Sequence, residues 1–303
     1  MSVVQGIGRR LRQAIGQGAE RRRDSESASD GSPCAIIAVA AQKGGVGKTT
    51  TAVHLAASLA ADHGLRVLII DLDNQSHVIS SLRAHVRETA AHTISRVLLG
   101  EGPDLMQTIL ATDIEGLDLS AADKRLADTE AQLAGRIGRE LLLRRAMWSA
   151  RRRYDAVIMD CPPNLGLLTL NALMAADHVL IPCDLSILSL EGVDDLVQTL
   201  DSLERSFGGA PKLLGLLHTR VDRRNRHHNE SVRQAVAERY GDNVLASEIG
   251  INTAVSRAQL LGQTVFRAWP EARGARDYRA LATEVRSLVL PETTSQQAMS
   301  LAS

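Results

Sequence analysis

The stretch "AIIAVAAQKGGVGKTTTAVHLAASL" (residues 35–59) decides the fold. It opens with a short apolar run, "AIIAVA" (35–40), turns through glycines, and enters a helical pattern over Thr50–Ala61 that Gly64 is placed to end. Between them lies "KGGVGKTT" (43–50), a glycine-rich loop closing on the G-K-[ST] of a phosphate loop, with an extra lysine, Lys43, ahead of its first glycine. In such a loop Gly44, Gly45 and Gly47, with Val46 among them, let backbone N–H groups turn inward around phosphates. The first helical turn, with Thr50, adds its positive dipole end. Lys48 reaches the β/γ-phosphates and Thr49 offers a hydroxyl to Mg2+.

The same alternation spreads outward. "RVLII" (66–70), "DAVIMD" (155–160), "HVLIP" (178–182) and "KLLGLL" (212–217) are short apolar runs suited to strands buried on both faces of a parallel sheet. Helical patterns fall roughly over 121–150, 190–207 and 229–240. Strands and helices in alternation predict an α/β fold, a doubly wound, mostly parallel sheet with helices on both faces. This domain is expected over residues 34–290. Residues 1–33 differ. Val3, Val4, Ile7, Leu11 and Ile15 form a short basic amphipathic run, followed by a charged, Ser-rich linker. Residues 291–303 read as a disordered tail.

Lys+Arg and Asp+Glu both number 35, so any basic surface is local rather than global. Lys43, Lys48, Lys124 and Lys212 are the only lysines, and two of them share the loop, where a compact ammonium is wanted. The cysteines, Cys34, Cys161 and Cys183, form no close pair, which argues against a disulfide framework or a zinc or iron–sulfur site. Cys161 reads as packing, and His227 and His228 as surface residues. No apolar run approaches the roughly 18–20 residues of a membrane span, and the start has no secretory core, so a cytoplasmic protein is expected.

The carboxylates of "VLIIDLDNQ" (67–75), Asp71 and Asp73, and Asp160 of "YDAVIMDCPPNLG" (154–166) stand at the C-terminal ends of strands. Open α/β sheets bind ligands there, and an apolar run closed by Asp is the second acidic element expected near Mg2+.

On these residues the chain resembles the ParA/MinD ATPases, most of all the ParA branch. "KGGVGKTT" is similar to the family's deviant phosphate-loop signature, and "DCPP" (160–163) and "SLEG" (189–192) follow in order. The resemblance spans about residues 35–288 and implies a P-loop NTPase of the SIMIBI type that takes ATP and Mg2+. It implies that Lys43 crosses the interface of an ATP-sandwiched homodimer to the partner's nucleotide. Thr49, Asp71 and Asp160 would serve the metal, and Lys43, Lys48 and Asp73 would be catalytic, Asp73 by orienting the attacking water. Thr219, Arg220 and Asp222 would lie near the adenine. Asn74 and Asn164 depart from the family's usual proline and serine.

The resemblance also implies sequence-independent binding of double-stranded DNA by the ATP dimer, and a ParB-like partner that stimulates hydrolysis. Such binding needs clustered guanidinium groups. Candidates are Arg220, Arg223, Arg224 and Arg226, followed by Arg233, and Arg257 one turn after Ala254, which stands where an arginine is common. The first cluster reads equally well as a solvated loop. Aromatic residues make up 2% of the chain, so stacking on single strands is not expected. The expected function is a slow, partner-stimulated ATPase switch that partitions or positions DNA or another large cargo, nucleoid-associated and without a membrane anchor. Two alternatives stay open: a MinD-like membrane-associated ATPase using residues 3–15, and an ATP-dependent metabolic ligase, for which no second-substrate motif is visible.

Overall fold

Strand β1 (Ala35–Val39) is buried at every residue. Parallel strands β5 (Ala156–Asp160) and β6 (His178–Asp184) flank it. Outside β5 lie β2 (Val67–Asp71), then β4 (Leu117–Ser120), then β3 (Ile109–Ala111); outside β6 lie β7 (Lys212–Val221) and β8 (Val244–Gly250). The eight-stranded sheet runs β3-β4-β2-β5-β1-β6-β7-β8 and is parallel except for the β3–β4 pair. This is the doubly wound sheet expected. The computed structural model describes residues 34–87, 90–102, 104–222 and 224–290, with backbone alone at 187–188 and 226–228. The segment 1–33, the tail 291–303, Arg223 and the side chains of Arg226, His227 and His228 lie outside the described residues.

Side chains alternate across the sheet and build two cores. Ile37, Val39, Val67 and Ile69 face α1 (Lys48–Ala61), α2 (His77–Ser81), α9 (Thr253–Leu261), α10 (Val265–Ala268) and α11 (Arg273–Val289). Ile36, Ala38, Leu68 and Ile70 face α3 (Ile94–Leu99), α4 (Leu126–Leu133), α5 (Leu142–Arg153), α6 (Leu167–Ala175), α7 (Ile187–Phe207) and α8 (Arg226–Tyr240). Each fully buried Ile or Leu contributes about 1.5–3 kcal/mol of transfer free energy. Helix α1 is buried almost all round, and Gly64, at φ 66°, ends its turn by donating from its N–H to Ala60 O at 3.0 Å.

The helix expected over 121–150 is two helices, α4 and α5, separated by residues 134–141. Glycine is a poor helix residue, and Gly138 takes the left-handed conformation at φ 72°. β3, β4 and β8 were not among the apolar runs, being short or, in "VLASEIG", interrupted by polar residues. β8 is one of the two sheet edges, and α11 protects it. Glu284 accepts from the backbone N–H groups of Ala246 and Ser247 at 2.7 and 2.8 Å, and Asp277 from that of Gly250 at 3.1 Å.

Candidate nucleotide-binding site

β1 delivers the glycine loop to the C-terminal edge of the sheet, beside strands whose ends carry acid. Register sets Val39 against Asp160, and Asp160 against Asp71, so the two carboxylates stand side by side next to the loop. Gly45 and Gly47 take φ values of 76° and 88°, conformations costly for other residues. Gly47 leads directly into α1, leaving the amides of its first turn to face the loop.

Lys48 is buried, and its ammonium donates to Lys43 O at 3.2 Å. Burial lowers its pKa, while Asp160, Cys161 and Asp73 oppose that shift. Asp71 is fully buried. Its two oxygens accept from Asp73 N at 3.0 Å and Val78 N at 3.1 Å, which fixes the turn between β2 and α2. Asp73, at the rim of the cleft, accepts from Gln75 N at 3.0 Å.

Asp160 differs from both. Its carboxylate is fully buried, and neither oxygen meets a donor in good hydrogen-bond geometry, although the Thr49 hydroxyl lies close by. Burial pushes its pKa up to about 7, against the lowering pull of the Thr49 hydroxyl and the Lys48 ammonium, while Asp73 raises it further. Asp71 is likewise raised well above the usual carboxylate range, by burial first and by Asp160 next. A buried carboxylate with open lone pairs fits a cation, as does the Thr49 hydroxyl beside it. Among the described residues no group of three or more His, Cys, Asp or Glu could hold a metal unaided. Mg2+ is commonly held by one or two protein carboxylates together with substrate phosphates.

The loop opens onto a cleft of about 610 Å³, within the usual range for ligand pockets. The Thr219 hydroxyl donates to Val46 O at 2.7 Å, and Arg220 Nη1 to Gly45 O at 2.9 Å, so the end of β7 braces the loop. Arg220 and Ser76, both at φ 53°, are the non-glycine residues with positive φ among those described, and they lie where β7 and the turn after β2 border the cleft. Such strain persists where the surroundings enforce it. Asp222 does not line the cleft. Its carboxylate is held by Arg224 Nε and Nη2, both at 2.9 Å, and its pKa falls to about 2 through that contact.

The far wall is formed by residues 249–253, Val255, Ser256, Gln259 and Tyr278, from β8, α9 and α11. Sequence reasoning treated this stretch only as a possible DNA contact. The available signal was that it follows a strand's C-terminal end, with Asn252 capping α9 by accepting from Ala254 N at 2.9 Å.

Lys43 does not point into its own loop. Its ammonium is bound by Asp184 Oδ2 at 2.9 Å and Oδ1 at 3.1 Å, and by the hydroxyls of Ser186 at 3.1 Å and Ser189 at 3.4 Å. Although burial raises the Asp184 pKa, those hydroxyls and Lys43 hold it below the usual range.

Most of the described candidate DNA arginines already have partners. Arg224 is engaged by Asp222, Arg220 by the loop and Arg233 by Glu248 at 2.7 and 2.8 Å, whereas Arg257 is exposed on α9. All three cysteines are buried. Burial pushes Cys34 and Cys183 up to about 12, and Cys161 higher still, so none is a thiolate nucleophile.

Residues 34–210 match the family model described as an AAA domain. The chain is 38% identical to the sporulation initiation inhibitor protein Soj of Bacillus subtilis, covering 82% of this chain and 97% of that one. It is 37% identical to the chromosome partitioning protein ParA of Caulobacter vibrioides, covering 84% and 95%. Among solved structures, a cobyrinic acid a,c-diamide synthase from Mycobacterium smegmatis, with bound ATP analog and magnesium, superposes with a TM-score of 0.71 at 36% identity, covering 86% and 97%.

Proposed function

The chain belongs to the ParA/MinD family of P-loop ATPases, and from that premise we propose that it is an ATP-driven dimerising switch that partitions or positions DNA or another large cargo. The observation that carries this reading is the separation of the two loop lysines. Lys48 sits at the loop, while the Lys43 ammonium is held on Asp184, away from its own phosphate cradle.

In this reading the amides of residues 44–49 and the Lys48 ammonium cradle the triphosphate of ATP, neutralising charge that water would otherwise solvate. Thr49 and Asp160 would hold Mg2+, with Asp71 beside Asp160 in the next strand, and the ion would supply positive charge to the triphosphate. Asp71, with both oxygens on backbone amides, holds Asp73 at the cleft, and Asp73 orients the attacking water. Two copies close face to face over two nucleotides, and each Lys43 leaves Asp184 for the partner's phosphates. Hydrolysis then depends on assembly, because a cation supplied in trans stabilises the transition state. The adenine lies toward Thr219, Arg220 and the wall at 249–256. A ParB-like partner accelerates hydrolysis and resets the monomer, and the dimer contacts duplex DNA through arginines that include Arg257.

A shift assay on duplex DNA with ATP, ADP and no nucleotide tests this reading, with Lys48→Ala as the control. Retardation confined to ATP, and lost in the variant, is expected; equal retardation in all conditions contradicts it. Pelleting with anionic vesicles under ATP tests the membrane alternative. No helix among the described residues is long and apolar enough to cross a membrane.

A second reading has one observation behind it, the likeness to the diamide synthase of Mycobacterium smegmatis. A ligase of that kind needs an amide donor and a carboxylic acceptor for turnover. ATP hydrolysis by the purified protein with neither present, stimulated by a protein partner, contradicts it.

A further inference from the structure

Helix α5, "LLRRAMWSARRR", carries Arg144, Arg145, Arg151, Arg152 and Arg153, all exposed, on a chain of zero net charge. Its buried side is apolar, with Leu143, Met147 and Ala150 in the core. At 100° per residue, Arg151, Arg144, Trp148, Arg152 and Arg145 share an arc of about 120° on the outer side. Trp148 is 60% exposed at the centre of that arc, with the Arg152 guanidinium 5.0 Å from its ring centroid.

The carboxylates around this helix already have partners. Asp177 is taken by Arg151 at 2.7 and 3.0 Å, Asp155 by Arg66, Glu140 by Arg139, and Asp118 by the Tyr154 hydroxyl. Asp104 accepts from Met106 N and the Ser149 hydroxyl. Arg144, Arg145 and Arg152 form no ion pair among the described residues.

We propose that the outer face of α5, built on Arg144, Arg145, Trp148 and Arg152, is a docking surface for the phosphate backbone of duplex DNA. This rests on the reading above that DNA is a partner, and it places the contact on a different helix from Arg257. From Arg144 to Arg152 the helix rises about 12 Å, the axial rise of three to four base pairs of duplex. A convex helix face lined with guanidinium groups fits a repeating line of charge. An indole covered by a guanidinium favours lying against sugar and phosphate over stacking on an unpaired base. Because the whole chain is neutral, attraction comes from this local field and falls steeply with salt.

The test is fluorescence anisotropy of a labelled duplex with the full-length ATP-bound protein across a salt series. It compares wild type, the double variant Arg145→Ala/Arg152→Ala, and Arg145→Lys/Arg152→Lys. Each phosphate contact contributes about 0.9 to the slope of log K against log salt, so the alanine variant should lose about two units of slope and bind at least tenfold more weakly. The lysine variant should retain most of the binding, and hydrolysis without DNA should match wild type in both. Wild-type binding with the same slope and affinity in the alanine variant overturns the assignment to α5 but leaves the DNA reading standing. No wild-type binding in any nucleotide state overturns both. A loss in the alanine variant on phosphatidylglycerol vesicles or polyglutamate, with DNA binding unchanged, also overturns the proposal and hands the face to that partner.

Discussion

Lys43 and Asp184, 141 positions apart in the chain, meet in a two-oxygen ion pair at 2.9 and 3.1 Å at the mouth of the nucleotide loop. Ser186 and Ser189 complete the ammonium's shell, and both hydroxyls also donate to Asp184. The lysine is thus held in cis by the end of β6 and the start of α7.

If this contact competes with dimer closure, Asp184→Ala should tighten the nucleotide-bound dimer. Both side chains are partly exposed, at 33% and 25%, which limits the pair's contribution. Exposed pairs contribute roughly 0.2–1 kcal/mol, and a closing dimer breaks two of them, so the gain is up to about thirtyfold in the dimer dissociation constant. Sedimentation with a non-hydrolysable ATP analogue measures it; a weaker or unchanged dimer speaks against a cis-held lysine.

Asp160 gives the nucleotide-free protein a pH dependence. Its folded pKa, raised by burial to about 7, exceeds that of an unfolded carboxylate near 4. The folded state therefore binds more protons between those values, and stability is lost as pH rises through that window. Asp160→Asn removes the ionisation. Its melting temperature should gain on wild type from pH 5 to pH 8, while its hydrolysis falls about 100- to 1000-fold. A melting difference that is the same at both pH values contradicts the assignment.

Packing behind the cleft should reach the site as well. A Cβ on Gly274 would fall 2.4 Å from Val255 Cγ2 and 3.3 Å from Asn252 Cγ, the residues that begin α9 and form the far wall. Val255 has little freedom to move away, so Gly274→Ala should cost about 1–3 kcal/mol and shift the wall. Denaturant midpoints and ATP affinity should both fall; a loss of stability with unchanged affinity would separate α11 from the site.

The loop, the strands beside it and the carboxylates at their ends were legible because each is local. A buried parallel strand is a continuous apolar run, and Asp71, Asp73 and Asp160 close such runs. Partners across the sheet were not legible. Nothing near Lys43 in sequence points to Asp184, and nothing near Val46 points to Thr219, since topology alone brings β6 and β7 to the loop. The arginine run after β7 looked like a cationic cluster, yet Asp222 and Glu248 take Arg224 and Arg233. Charge counted along a chain ignores such pairing. The arginines of α5 passed unnoticed because the helix was read as the continuation of α4.

The central claim is that Lys43 acts on the partner's nucleotide. Mixing Lys43→Ala with Asp73→Ala before adding ATP and magnesium tests it directly. Each variant alone should be inactive. In a symmetric dimer, half the mixed assemblies pair one of each, and one site then has its own Asp73 and a lysine from the other chain. Hydrolysis should recover to about a quarter of the wild-type rate. A mixture as inactive as its components, with mixed dimers shown to form, would mean that Lys43 serves its own loop and would contradict the account.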